Sequence, residues 1–284
     1  MEFSLVLCVY AKENPTYLSQ CLESIAKQTV LPDEVIIVKD GSLIEELEMV
    51  LDNFNFPKSV KIIALPQNMT LGPARARGVE VAQYEWIALM DSDDICLPNR
   101  FETQLALISL DKNIDIIGGQ ITEYDDIPGD AISIRSVPVT HEAILTRAKK
   151  RNPFNAMTVI FKREKAIQAG NFRYFPGFED YDLWVRMIKN GAVCANCPEI
   201  LVHARIGNGL YNRRSGFGYI CSEWKMQRNL RKLRITTGLE FIRNILTRIP
   251  MRLLPQRCLK GLYAWFGGRV AVEQKTKCLR VQND

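Results

Sequence analysis

The chain of 284 residues reads as an α/β protein: a mixed, mostly parallel sheet with helices on both faces, followed by a basic helical C-terminal extension. Three observations predict this. Four short apolar, β-branched runs recur at similar intervals: SLVLCVY (Ser4–Tyr10), EVIIVKD (Glu34–Asp40), VKIIAL (Val60–Leu65) and EWIALMD (Glu85–Asp91). Helical periods fill the gaps, giving the β-α-β-α alternation of a parallel sheet covered on both sides. Charge then divides the chain, because 14 Lys and Arg face three acids from Lys225 onward, whereas 23 face 29 before it.

The elements follow in order. After the first strand, Asn14-Pro15 is an N-cap with Pro at the first helical position, and Leu18, Cys21, Leu22 and Ile25 recur at helical spacing. Leu43, Leu47, Val50, Leu51 and Phe54 make a second stripe, Gly72-Pro73 opens a third helix to about Gln83, and Pro98-Asn99 opens a fourth through Ile108. Beyond Asp111 the pattern loosens. Ile114–Tyr124 reads as a strand, the segment to about Arg151 as helical and basic, NPFNAMTVIFKRE as a strand, and Asp182–Asn190 as a helix. A boundary near residue 220 separates a body, with halves of about 1–110 and 111–220, from the basic region 221–284.

Composition excludes several classes. No window approaches the roughly 18 apolar residues that span a bilayer. The opening MEFSLVLCVYA lacks a basic leader and reads as a strand, so a cytoplasmic location is expected. Eight scattered cysteines, including the lone CxxC of Cys194 and Cys197, suit reduced thiols rather than a zinc or redox site. An acidic body argues against a nucleic-acid footprint.

In a parallel sheet, ligands bind outside the carboxyl ends of the strands. There the chain carries Tyr10, then Asp40-Gly41-Ser42, then Asn68–Gly72, then Asp91-Ser92-Asp93-Asp94. Asp91 and Asp93 lie two apart at a strand end, so both can approach one point, and hard carboxylate oxygens suit Mg²⁺ or Mn²⁺ shared with a diphosphate. Taken alone, Asp93 and Asp94 can equally be solvating a loop or capping the Pro98 helix. A calcium loop of the EF-hand kind is disfavoured, because Ile95 and Cys96 stand where a ligand and the turn glycine belong. Asp40 can accept from a base or ribose, or simply close an Asx turn. Arg75 and Arg77 sit near a helix N-terminus facing this edge, where a diphosphate is favoured. In GFEDYDLW, Glu179, Asp180 and Asp182 are like-charged neighbours, one of which can serve as a general base. Trp184, a turn beyond Asp180, can offer a face to a sugar or belong to the core.

These motifs, in this order and spacing over about residues 3–220, resemble glycosyltransferase family 2, and most closely the bacterial branch that builds O-antigen and exopolysaccharide units (amylovoran-type). The resemblance implies a Rossmann-like GT-A fold and a metal-dependent, inverting hexosyltransferase. Its donor would be a UDP-sugar (galactose, glucose or an N-acetylhexosamine) in preference to dTDP or GDP sugars, and its acceptor an undecaprenyl-diphosphate-linked glycan. Carried over by position, Val9, Tyr10, Asp40, Arg77, Asp91, Ser92 and Asp93 would hold the nucleotide-sugar. Asp91 and Asp93 would hold Mn²⁺ or Mg²⁺, Asp180 would be the base with Glu179 beside it, and Asn155 and Trp184 would meet the acceptor. Arg213 and Arg214 are candidate phosphate contacts. Two positions depart from the family pattern: Gly78 replaces the usual Asn, and Ala156 stands where His is expected. His203 is a candidate late metal ligand, though a lone His beside a strand also serves structure.

The tail RNILTRIPMRLLPQRCLKGLYAWFGGR interleaves cations with apolar residues, as expected of helices lying on the anionic face of the inner membrane. A solvated helical bundle is its plain rival. For the whole chain the rivals are a phosphatase or phosphotransferase with Asp91 as nucleophile, and a nucleotide-binding scaffold without catalysis.

Overall fold

The computed structural model describes residues 1–125, 127, 130–206, 216–253 and 269–271, with side chains to residue 250. Strands β1 (Phe3–Val9), β2 (Glu34–Lys39), β3 (Ser59–Ala64) and β4 (Trp86–Asp91) pair in the order β3-β2-β1-β4, all parallel. Their shared direction brings Val9, Lys39 and Asp91 out on one edge. Residues along β1, β2 and β4 are almost all buried, as continuous apolar runs covered on both faces must be.

The helices between them form as the spacing predicts. In α1 (Pro15–Ala26), Asn14 Oδ1 accepts from the Thr16 amide at 2.9 Å, and Leu18, Cys21, Leu22 and Ile25 turn to the sheet. The second helix is shorter than its stripe, α2 (Glu45–Asp52), and it packs with α1 and α4 (Arg100–Leu110) on the face carrying Leu5, Leu7 and Val35. On the other face, α3 (Leu71–Val81) lies over Val6 and Val38. Gly78 allows this close approach, since a Cβ there would sit 2.5 Å from Val6 Cγ1 and 3.2 Å from Val38 Cγ2. The departure at Gly78 is thus a packing feature, with no room for a polar side chain.

The second half adds antiparallel strands. The short β8 (Ile160–Lys162) pairs antiparallel with β4 and with β6 (Ile114–Tyr124), which runs parallel to the long β9 (Val193–Arg205). Of the expected strand in NPFNAMTVIFKRE, only β8 is extended; Ala156–Thr158 is a 3₁₀ turn, and Arg163–Gln168 opens α6. The basic segment holds β7 (Ser133–Arg135) before α5 (His141–Ala148). Two minor strands, β5 (Ile95–Cys96) and β10 (Arg269–Ala271), pair with β9 and β7. Cys194 and Cys197 lie on β9 as buried free thiols, pushed up to about 12 by burial.

Helix α7 (Glu179–Lys189) starts three residues before its expected beginning and carries the second acidic cluster in its first turn. Beyond the boundary region, α8 (Phe217–Lys232) packs on α7 through Met226 and Leu230 against Phe178, Tyr181 and Val185. Helix α9 (Gly238–Leu253) includes Pro250 near its end. Its Arg248 meets the fully buried Glu223 of α8 at 2.6 Å, so part of the basic region is spent on internal pairing.

Candidate active site

A cleft of about 1200 Å³ opens along the carboxyl edge of the parallel strands and is closed on its far side by α7 and α8. Val9, Tyr10, Asp40, Asp91, Ser92, Asp93, Glu179 and Asp180 all line it, so residues 85 or more positions apart share one space. Each is delivered by a strand end or helix start. Asp91 ends β4, Asp40 follows β2, and Glu179 and Asp180 open α7.

The centre of this cleft is Arg75. Its side chain is only 3% exposed, and its guanidinium donates from Nη2 to Asp91 Oδ1 and from Nη1 to Asp180 Oδ1. Burial disfavours its charge, but Asp180 and Asp91 outweigh that and hold it protonated. One buried cation therefore ties the two acidic clusters together. Glu179 stands outside this pairing. Burial, then the neighbouring Asp180, pushes its carboxyl up to about 7, and its buried Oε2 has no hydrogen-bond partner among the described residues.

The Asp-rich loop divides by role. Asp91 and Asp93 face the cleft, while Asp94 is buried and accepts from the Arg205 amide at 2.8 Å. Burial, then Asp93 and Asp91, raises the Asp94 carboxyl well above the usual range. Its expected part in the turn into the Pro98 helix is corrected: it anchors the end of β9. Arg205, which the sequence reading did not single out, backs this loop. Its guanidinium lies 3.6 Å from the Tyr17 ring centroid and 4.7 Å from that of Tyr124, and it donates to Gln20 Oε1 at 2.9 Å. An arginine ending an apolar run was the only signal for it.

At the second strand end, Asp40 Oδ1 accepts from the Met69 amide at 2.6 Å, and Gly41 takes φ +87° where a Cβ would meet the Asn68 nitrogen at 2.9 Å. The glycine thus lets two strand-end loops touch, rather than clearing a path for a ligand.

Four expected contacts are corrected. Arg77 points away from the cleft and pairs with Glu80 at 3.2 Å on the exposed side of α3, because neighbours two apart on a helix do not share a face. Trp184 is 0% exposed, packed edge-on against Phe154, Phe161 and Phe172, and offers no face to a sugar. Asn155 is equally buried, donating to the carbonyls of Gly119 at 2.8 Å and Arg135 at 3.3 Å; Met157 is the residue of that segment that reaches the cleft. His203 does not line the cleft: its Nδ1 pairs with Thr122 Oγ1. Arg213 and Arg214 lie outside the described residues.

Asp182, third acid of GFEDYDLW, is fully buried and structural. It accepts from Arg173 Nε at 2.8 Å, Arg186 Nε at 2.9 Å and Asn229 Nδ2 at 2.6 Å, fastening α8 to α7.

Among the described residues no three His, Cys, Asp or Glu side chains converge as a metal site. The candidate ligands are the cleft-lining carboxylates of Asp91 and Asp93, two residues apart at the end of β4. That donor set fits a hard divalent ion completed by diphosphate oxygens and water, not a self-contained metal centre.

Parallel strands bearing acids on one edge, an antiparallel second half and a helix-start carboxylate pair across the cleft define a GT-A-type transferase fold. The S. aureus TarS 1-349 structure shares it, with a TM-score of 0.62 over 89% of this chain and 72% of that one at 19% identity. Residues 4–172 match the model for glycosyl transferase family 2, and the chain belongs to that family. It is 39% identical over 266 residues to an uncharacterized glycosyltransferase of Haemophilus influenzae, covering 94% of this chain and 99% of that one. It is 34% identical to the amylovoran biosynthesis glycosyltransferase AmsE of Erwinia amylovora, over 92% and 97% of the two chains. It is 36% identical to the UDP-Gal:alpha-D-GlcNAc-diphosphoundecaprenol beta-1,3-galactosyltransferase of Escherichia coli, over 89% and 92%. The protein is a glycosyltransferase.

Proposed function

We propose that this glycosyltransferase moves a hexose from a UDP-sugar to a polyprenyl-diphosphate-linked glycan, with inversion, in O-antigen or exopolysaccharide assembly. The relatives named for amylovoran synthesis and for a diphosphoundecaprenol acceptor support the substrate classes, at identities above 30% over nearly the whole chain. The observation that carries the mechanism is the single cleft holding Asp91, Asp93, Glu179 and Asp180 around Arg75.

Inversion requires an acceptor hydroxyl to attack the anomeric carbon from the side opposite the leaving UDP. Asp180, oriented by its ion pair with Arg75, takes the hydroxyl proton as that bond forms. Glu179, which lines the cleft beside Asp180, hydrogen-bonds the incoming sugar. Tyr10 and Asp40 border the nucleoside end, and Ser92 lies between the two carboxylates that face the diphosphate. Mn²⁺ or Mg²⁺, held by Asp91 and Asp93, would neutralise charge on the departing diphosphate. Arg75 limits the repulsion between these acids.

The described part of the basic region supports contact with the cytoplasmic face of the inner membrane. Helix α9 exposes Leu239, Ile242 and Leu246 beside the exposed Arg243. No helix among the described residues is long and apolar enough to cross a membrane.

The test is transfer from UDP-, dTDP- and GDP-hexoses to a synthetic sugar-diphosphate-lipid, before and after chelation and Mn²⁺ return. Transfer from a UDP-sugar, lost on chelation, restored by Mn²⁺ and giving the inverted anomer, is expected. A retained anomer, or full activity in chelator, contradicts the mechanism.

A further inference from the structure

The acidic end of the cleft is matched by an opposite wall whose chemistry is different. Gly218, Cys221, Ser222, Lys225 and Asn229 of α8 line the cleft at spacings of three, four and seven residues, so one face of this helix forms the wall. Of the four cations on α8 (Lys225, Arg228, Arg231 and Lys232), Lys225 alone is on that face. The other cations lining the cleft are engaged: Arg75 with Asp91 and Asp180, Arg173 with Asp182, and Arg205 with Gln20 and two tyrosine rings. Lys225 is exposed and makes no ion pair or hydrogen bond among the described residues.

Its position relative to the carboxylates is set by the structure. Asn229 donates to Asp182 at 2.6 Å, and Asp182 is two residues from Asp180 on α7. Lys225 is one turn before Asn229 on the same cleft-lining face of α8. The loop Arg173–Gly177 meets α8 at the same carboxylate, Arg173 donating to Asp182 beside Asn229, and its Tyr174, 67% exposed, also lines the cleft. An uncommitted cation on the wall of the cleft that holds the acids, with an exposed tyrosine also lining it, matches an acceptor whose reacting sugar is followed by a diphosphate and then a hydrocarbon chain.

We propose that Lys225 is an acceptor-binding residue that holds the diphosphate of the lipid-linked acceptor, with Arg173 at the adjoining part of the wall and Tyr174 meeting the first carbons of the lipid. This rests on the proposed acceptor class and names the residues that recognise it. Arg173 contributes as a half-exposed guanidinium already oriented by Asp182, whereas Lys225 contributes an uncommitted charge.

The experiment compares wild type, Lys225→Ala and Lys225→Arg on two acceptors carrying the same sugar, one on a lipid diphosphate and one on a neutral alkyl chain. Lys225→Ala is expected to raise KM for the diphosphate acceptor at least tenfold, with kcat and donor KM within about twofold of wild type. The neutral acceptor should be unaffected, and Lys225→Arg should recover most of the loss. An unchanged KM in Lys225→Ala, or an equal loss on both acceptors, overturns the assignment while leaving the functional reading intact. Wild type that transfers to neither acceptor overturns that reading and this inference with it.

Discussion

Arg75 shows how one residue sets the electrostatics of the whole cleft. Placing a guanidinium in a nearly dry site is costly, and the two carboxylates it meets offset that cost only because the geometry lets both bind at once. Asp180 is taken up in that pairing, and Glu179 is left to carry the burden of like charge. Its carboxyl, raised from 4.5 to about 7, binds a proton more tightly in the folded than in the unfolded chain. The stability that this proton confers is complete below about pH 4.5 and is lost as pH rises through about 7. Glu179→Gln removes that loss. Urea unfolding should find the variant more stable than wild type at pH 8 by on the order of 1–3 kcal/mol, and no more stable at pH 4.5; a pH-independent difference would contradict the burial of Glu179. Residue roles were only half legible in advance. GFEDYDLW supplies three acids of similar chemistry, and nothing in their spacing tells that Asp180 meets Arg75 while Asp182 is sealed between three donors. Trp184 failed as a sugar platform for the same reason, since helical spacing places it on the buried side and three rings from other elements complete its cage.

At the scale of elements, α3 is the piece that depends most on exact fit. Two glycines bring it close: a Cβ at Gly72 would lie 2.3 Å from the Arg173 carbonyl oxygen, and one at Gly78 would strike Val6. Helix propensity alone favours replacing Gly78 by Ala, by up to about 1 kcal/mol. Overpacking of about 1–3 kcal/mol opposes it, and a polar amide left unsatisfied against the sheet adds to that. Gly78→Asn should therefore destabilise by roughly 2–4 kcal/mol in urea unfolding, with Gly78→Ala at the lower end. Because α3 carries Arg75, activity should fall more than stability implies at temperatures where the variant is still folded. An unchanged unfolding midpoint would mean that α3 sits less tightly on the sheet than this packing implies. The capped α1 and the acid-bearing strand ends were readable because their signals are local. The second half was not: β8 is three residues long, its neighbours are distant in sequence, and its start is displaced by a 3₁₀ turn that no periodicity announces.

For the molecule as a whole, one geometric rule did most of the prediction. Parallel strands place their carboxyl ends on one edge, so acids at the ends of β2 and β4 had to converge. The helix pair beyond the expected boundary was harder to place. Charge composition marked it as a surface element, whereas α8 also walls the cleft through Asn229 and Lys225, and Arg248 of α9 is consumed by Glu223. A basic count cannot separate a cation facing a membrane, a ligand or a buried glutamate. The central claim is that two acidic clusters, brought together across one cleft, divide donor binding from proton transfer. It is tested most directly by measuring UDP-sugar binding and transfer rate together for Asp93→Ala and Asp180→Asn. The account predicts that Asp93→Ala loses Mn²⁺-dependent donor binding and transfer together. Asp180→Asn should bind donor within a few-fold of wild type while transfer falls at least about a hundredfold. Near wild-type transfer by Asp180→Asn, or undiminished donor binding and turnover by Asp93→Ala, would contradict it.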